Sequence, residues 1–156
     1  MPTERETPKP DQPLRLGEFL CFAIYSAHHA FNRVYKPLLD RLGLTYPQYL
    51  VMVALWERDD QTVGGLGEKM LLESSTLTPL LKRLEAMGLV HRMRDPKDER
   101  QVRLSLTKDG LKLREQALDI PPCILDASGL TAEDLQRLQL EITALRNRLE
   151  THVPAS

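Results

Sequence analysis

The 156-residue chain is short of charge imbalance, of cysteine, of aromatic side chains and of long apolar runs, and each shortage removes a class of protein. Its 21 Lys and Arg stand against 22 Asp and Glu, a formal charge of −1. That balance excludes a uniformly basic nucleic-acid coat and leaves room for a local basic patch. Two cysteines are too few to hold a small secreted domain by disulfides. They fit a reducing compartment, where a thiol either packs or reacts. The longest apolar stretches, residues 19–23 and 49–56, fall well short of the ~18–20 residues that cross a bilayer, so no membrane association is expected. Residues 1–13, MPTERETPKPDQP, are polar and proline-rich with no apolar export core. They are expected to form a flexible arm on a cytoplasmic protein. What is present, 42% hydrophobic residues in a chain of this length, suffices for one domain with a real core.

From residue 14, Leu16, Leu20, Ala23, Ala27, Ala30, Phe31, Val34 and Leu38 recur in steps of three and four. They predict one long helix over about 14–42, kinked or ended by Pro37 and stopped by Gly43. Thr45 and Gln48 form a capping box for the next helix, with Pro47 harmless in its first turn and Leu44 placed to staple onto Tyr49. That helix is apolar on nearly all sides and should be buried. Residues 62–72 are a weaker helix, because Gly64, Gly65 and Gly67 each cost about 1 kcal/mol relative to Ala. Their smallness suits the close approach of another helix. Ser74 or Ser75 is expected to cap a helix through Met87, closed by Gly88.

After Gly88 the pattern becomes alternating. LVHRMRD and QVRLSLT flank DPKDER, which reads as a β-hairpin with a basic tip. Thr107 begins a helix to about Asp119 that Pro121-Pro122 interrupts. Thr131 and Asp134 cap the last helix, with Leu130 stapled to Leu135. Leu135, Leu138, Ile142, Leu145 and Leu149 form a heptad seam, which packs either within its own domain or against a second copy of the chain.

Two short helices followed by a basic hairpin give the element order of a winged helix-turn-helix. The second of these helices, ESSTLTPLLKRLEAMG, carries small polar residues at the end where a recognition helix meets base edges. Residues 82–108 hold eight basic and four acidic side chains, net +4, so the rest of the chain carries −5.

The stretch TVGGLGEKMLLESSTLTPLLKRLEAMGLVHRMRDPKDERQVRLSLTKDG resembles the winged-helix core of the MarR family of bacterial transcriptional regulators, with DPKDERQVRLSLTKDG similar to the family's wing signature. The resemblance covers about residues 14–149; only the glycine-rich first helix departs from the usual pattern. It implies a mainly α fold with a small β-hairpin wing. The DNA-binding core would occupy about 45–108 of a domain over 14–150, with a helical dimerisation region from N- and C-terminal helices at about 14–42 and 108–150 and a tail at 151–156. It also implies a homodimer with two recognition helices in successive major grooves of a pseudo-palindromic double-stranded operator. By position, Ser74, Ser75, Thr76 and Thr78 would face bases and phosphates. Lys82, Arg83 and Arg94 would meet DNA as well, Lys82 and Arg83 at the phosphate backbone. Arg100, at the wing tip, would enter a minor groove, with Asp95 and Asp98 bracketing the tip and Asp98 orienting Arg100.

At about 100° per residue, Cys21 lies roughly 140° from the centre of the first apolar stripe, on a face with Ile24, Tyr25 and His28. A cysteine that merely packs belongs on the stripe. FLCFAIYSAHHAFNRVYKPLLDRLGLTYPQY resembles the organic hydroperoxide sensor branch of the same family. This resemblance implies that Cys21 is the peroxide-sensing thiolate and that the hydroxyls of Tyr35 and Tyr46 hydrogen-bond it from the other subunit; donors to the charged form favour the thiolate. Helix-dipole help is expected to be small, because a helix starting near residue 14 leaves Cys21 beyond its first turn. Phe19, Leu20, Phe22 and Ile24 offer apolar surface suited to an organic hydroperoxide. Cys123 is expected in a break between the dimerisation helices. The resemblance implies that it resolves oxidised Cys21 through an intersubunit disulfide; the alternative is an incidental second cysteine.

His28 and His29 point about 100° apart with no companion ligands, so no metal is expected. Gly64-Gly65-Leu66-Gly67 lacks the Lys-Ser/Thr of a phosphate loop, and no cofactor is expected. Two other functions compete. One is a MarR-type regulator of a phenolic or other small ligand, with Cys21 structural. The other is a thiol peroxidase, which needs an activating Thr and Arg; no arginine lies within four residues of Cys21, so an enzyme is not expected.

Overall fold

A computed structural model describes residues 13–154. The expected arm, apart from Pro13, and the last two residues of the tail lie outside them. The chain divides into two compact units, Met1–Arg33 and Val34–Ser156. In the first, a short 3-10 helix at Leu16–Glu18 is followed by Phe19 in extended conformation (φ −85°, ψ 121°), and only then by helix α1, Leu20–Asp40. The single helix expected from residue 14 is therefore broken at Phe19. Gly17 is a poor helix former, and Leu14 and Leu16 are exposed, so no burial holds a helical turn there. Cys21 consequently lies in the first turn of α1, at the positive end of the helix dipole, contrary to the expectation from sequence.

In the second unit α1 continues through Pro37 to Asp40. A proline this close to the end removes one backbone bond without stopping the turn. Gly43 then takes the left-handed conformation (φ 69°) that ends the segment. The Thr45 capping box forms as read: Thr45 Oγ1 accepts from the Gln48 amide at 3.4 Å and Gln48 Oε1 from the Thr45 amide at 3.0 Å. Helix α2, Tyr46–Glu57, buries Tyr49, Val51, Met52, Ala54 and Leu55. After β1, Gln61–Thr62, comes α3, Val63–Met70, whose cap is Thr62. Of its glycines, Gly67 makes a close approach, to the Leu72 carbonyl at 2.8 Å from a Cβ built there, while Gly64 faces open space. The same Gly67 Cβ would lie 3.8 Å from Leu77 Cδ2 of the following helix, so of the three glycines Gly67 serves both the turn and the close approach of a second helix. Helix α4, Ser74–Ala86, is preceded by Glu73 at the cap position without a side-chain bond, so the expected serine cap lies one residue inside the helix. Leu77, Leu81 and Leu84 of α4 are fully buried with Met52, Leu55, Leu66, Leu104 and Ile120. At about 25 cal/mol per Å² of apolar surface, this cluster is the main source of stability.

Strands β2, Val90–Arg94, and β3, Val102–Leu106, form the expected hairpin, in register from Val90↔Leu106 to Arg94↔Val102. Strand β1 adds to the other side of β3, giving the order β1-β3-β2. Helix α5, Lys108–Ala117, packs closely against the start of the hairpin, where Gly110 meets the Leu89 carbonyl. Pro121 and Pro122 do not interrupt a helix. They start one, α6, Ile120–Ser128, because a missing N–H costs nothing in a first turn. Cys123 therefore sits inside α6 and not in a break. Helix α7, Ala132–Glu150, is capped by Thr131, whose Oγ1 accepts from the Asp134 amide at 3.1 Å. No residue of α7 is buried; Leu138, Ile142 and Leu149 of its seam are exposed, as are Leu20, Phe31 and Val34 of the α1 stripe. No helix among the described residues is long and apolar enough to cross a membrane.

Candidate nucleic-acid interface and thiol positions

Helix α4 buries one face in the core and leaves the other in solvent. Ser74, Ser75 and Thr76 of its first turn are exposed, as are Lys82 and Arg83. Thr78 is half-buried, and its hydroxyl donates to the Ser74 carbonyl at 2.7 Å, leaving its lone pairs to accept. The hairpin carries the rest of the positive charge. Arg94, Lys97 and Lys108 are exposed, and the Arg100 side chain is 91% exposed at the tip. Asp98 steers it: Asp98 Oδ1 accepts from the Arg100 amide at 3.1 Å and from Arg100 Nε at 3.2 Å.

Besides Arg100, two of the eight basic residues are ion-paired within the chain. Arg92 pairs with Glu85 of α4 at 3.3 Å, and its amide donates to the same carboxylate. Arg103 of β3 donates from Nε to Asp60 Oδ1 at 2.8 Å, from Nη2 to the Asp60 carbonyl at 2.9 Å and from Nη1 to Asp95 Oδ2 at 3.1 Å. Asp95 is 7% exposed, a buried anchor and not a solvated flank of the tip. The Lys97 amide, followed by Arg103, holds its carboxyl below the usual range. The bond from Arg103 lowers Asp60 likewise, and the two carboxylates raise Arg103. Arg103 and Asp60 were not legible as site residues: they lie 43 positions apart, and no local pattern joins them.

Tyr35 and Tyr46 come together, with ring centroids 5.0 Å apart, edge to face. Tyr49, which the sequence marks only as the staple partner of Leu44 in an apolar helix, joins them at 5.9 Å from Tyr35. Burial, and then the neighbouring Tyr46 and Tyr49, push the Tyr35 hydroxyl up to about 12; burial also raises Tyr46. Both phenols are thus hydrogen-bond donors throughout the physiological range. Cys21, in the first unit, and Cys123, in the second, are both exposed free thiols. Among the described residues no group of three or more His, Cys, Asp or Glu could hold a metal ion.

Residues 33–116 match the model of the SarA/Rot transcriptional regulators. Over 138 residues, 88% of this chain and 92% of the relative, the sequence is 48% identical to the organic hydroperoxide resistance transcriptional regulator of Bacillus subtilis strain 168. The chain belongs to the MarR/SarA-type family of transcriptional regulators. Among solved structures of this family, reduced AbfR bound to DNA is 36% identical, with a TM-score of 0.75 over 88% of this chain and 94% of that one. Disulfide-formed AbfR is also 36% identical, with a TM-score of 0.60 over 84% and 92%. AbfR comes from Staphylococcus epidermidis. In this regulator, as in the fold it shares, α3 and α4 form the helix-turn-helix and β2–β3 the wing.

Proposed function

We propose that this regulator is a cytoplasmic, redox-sensing repressor whose reduced homodimer binds a pseudo-palindromic operator and releases it on oxidation by an organic hydroperoxide. The observation that carries the reading is the exposed thiol of Cys21, in a chain 48% identical to a hydroperoxide resistance regulator. The exposed stripes of α1 and α7 supply the apolar surface of a dimer. Ser74, Ser75, Thr76 and Thr78 face base edges and phosphates; Lys82, Arg83 and Arg94 neutralise the backbone; Arg100 enters the minor groove.

The Cys21 thiolate attacks a peroxide oxygen. The O–O bond breaks, the alcohol leaves, and the sulfur becomes a sulfenic acid. Cys123 of the partner chain then displaces water from it to form the disulfide, which is the role the existence of a disulfide form of AbfR supports. Bonded cysteines need Cα atoms about 4.4–6.8 Å apart, so helices must move if the reduced dimer holds them further apart, and the DNA-binding heads with them. Tyr35 and Tyr46 donate hydrogen bonds to the thiolate across the dimer. Because burial keeps the Tyr35 hydroxyl protonated, the rate of oxidation should carry no trace of a Tyr35 ionisation. It should show no inflection at about pH 10, where an ordinary tyrosine ionises. Stopped-flow oxidation of wild type and Tyr35→Phe checks this, and an inflection at that pH removed by the substitution would show an ionising Tyr35.

The test of the whole is DNA binding with and without an organic hydroperoxide, read beside a non-reducing gel. Wild type should release DNA and run as a crosslinked dimer; Cys123→Ser should lose the crosslink. Arg100→Ala should weaken binding at least about tenfold and reduce the salt slope by about one, with the dimer still folded. Unchanged affinity would count against wing insertion. Response to a phenolic or other small ligand is the second reading, favoured by a cleft of about 270 Å³ lined by Tyr49, Val53, Trp56, Glu57, Arg114 and Leu118 among others.

A further inference from the structure

Arg103 stands on β3, the central strand, opposite Thr62 of β1 and Met93 of β2. Its three guanidinium nitrogens reach both sides: two bind Asp60 in the turn after α2, and one binds Asp95 where β2 runs into the wing loop. Each anchor is itself fixed. Asp60 adopts a left-handed backbone (φ 55°), and its neighbour Asp59 accepts the amides of Asp60 and Leu106, both at 2.8 Å. Asp95 accepts the Lys97 amide at 2.8 Å, and its own amide donates to the Gln101 carbonyl at 2.8 Å, closing the base of the loop. The Arg103 guanidinium lies between two carboxylates and is only 33% exposed, whereas Arg100 shares one carboxylate, Asp98, and stands out in solvent at the tip.

We propose that Arg103 is a positioning residue for DNA recognition: with Asp60 and Asp95 it clasps the wing to the end of α2 and so sets the angle at which Arg100 meets the groove. It makes no phosphate contact itself. The planar fork is essential, since a lysine ammonium cannot span two carboxylates and a carbonyl in this geometry. The proposal rests on the DNA-binding reading above, and on no part of the redox chemistry.

The test uses full-length reduced dimer, a duplex selected by wild type from a randomised pool, and a random duplex. Arg103→Lys, which keeps the charge, should lose about tenfold affinity for the selected duplex and little for the random one, with the salt slope unchanged. Asp60→Gly supplies a test of sign, because glycine adopts a φ of 55° without strain. Removing a carboxylate from a DNA-binding face should tighten binding if charge alone mattered, whereas loss of the clasp should weaken it several-fold. Amide hydrogen exchange without DNA should accelerate over residues 95–101 in both variants and leave α4 unchanged. The proposal is overturned if Arg103→Lys binds the selected duplex as wild type does, if Asp60→Gly binds it more tightly, or if exchange in the wing is unaltered. If wild type selects no sequence, the DNA-binding reading fails, and the exchange measurement still decides whether the clasp holds the wing.

Discussion

Cys21→Ser protein is expected to stay on its DNA at hydroperoxide concentrations that release wild type completely. Serine is nearly isosteric with cysteine, and Cys21 is exposed, so neither packing nor fold should change. Operator affinity of the reduced form should match wild type within about twofold, as for surface substitutions generally. What is lost is the chemistry: a serine hydroxyl has no accessible anion at neutral pH and no sulfur to become a sulfenic acid. Switching a two-state regulator almost fully takes a differential of about 10²–10⁴ in affinity between its forms. The oxidant-dependent shift in wild type should be of that size, and in the variant it should be absent. Fluorescence anisotropy with labelled duplex, titrated with cumene hydroperoxide, measures both. Release of the variant by peroxide would remove Cys21 from the mechanism and move the reading toward a small-ligand sensor. Cys123→Ser should behave differently: it still reacts at Cys21, and without a resolving thiol the sulfenic acid is open to further oxidation, visible as a mass gain without a crosslink.

The second large effect is on stability. Gly110→Ala should cost roughly 3 kcal/mol or more, the upper range for overpacking a closed site, and lower the melting temperature by about 10 °C in a domain of this size. A Cβ at Gly110 would lie inside contact distance of the Leu89 carbonyl oxygen, and 3.2 and 3.3 Å from Leu89 C and Leu106 Cδ2. Nothing there can yield cheaply. The Leu89 carbonyl accepts the Thr107 amide at 3.1 Å, and the Leu89 amide is held by Leu84 at 3.1 Å. The Gly110 amide donates to Thr107 Oγ1 at 3.0 Å, and its carbonyl accepts from Trp56 Nε1 at 2.8 Å. The methyl group would push α5 away from the base of the wing and break the tie to α2. Gly64→Ala is the control: its Cβ meets open space in a helix, so it should gain up to about 1 kcal/mol from helix propensity alone. Thermal unfolding of the two variants should shift in opposite directions. Equal shifts would mean that the approach of α5 to Leu89 is looser than described.

What the sequence determined by itself is what depends on residues a few positions apart. The caps at Thr45, Thr107 and Thr131 all form, because a capping oxygen and the amide it accepts are three residues from each other. The hairpin register follows from alternation around a charged loop, and the +4 segment is a matter of counting. The exposed first turn of α4 and the tip arginine steered by Asp98 are local in the same sense. The tertiary structure decided the rest. The helix start at Leu20 in place of residue 14 depended on whether anything buried Leu14 and Leu16. Pro121-Pro122 could end one helix or begin another, and the turn at Leu118–Asp119 made it the latter, carrying Cys123 into α6. Strand β1 is two residues long and exists because β3 offers it an edge. Arg103 with Asp60, 43 positions apart, and Trp56 with Gly110, 54 apart, are joined by the packing of the core and by no pattern along the chain. Hydrogen bonds at such separations become possible only after loop closure has brought their partners together, and that closure is bought by the burial of Leu55, Leu66, Leu77 and Leu104.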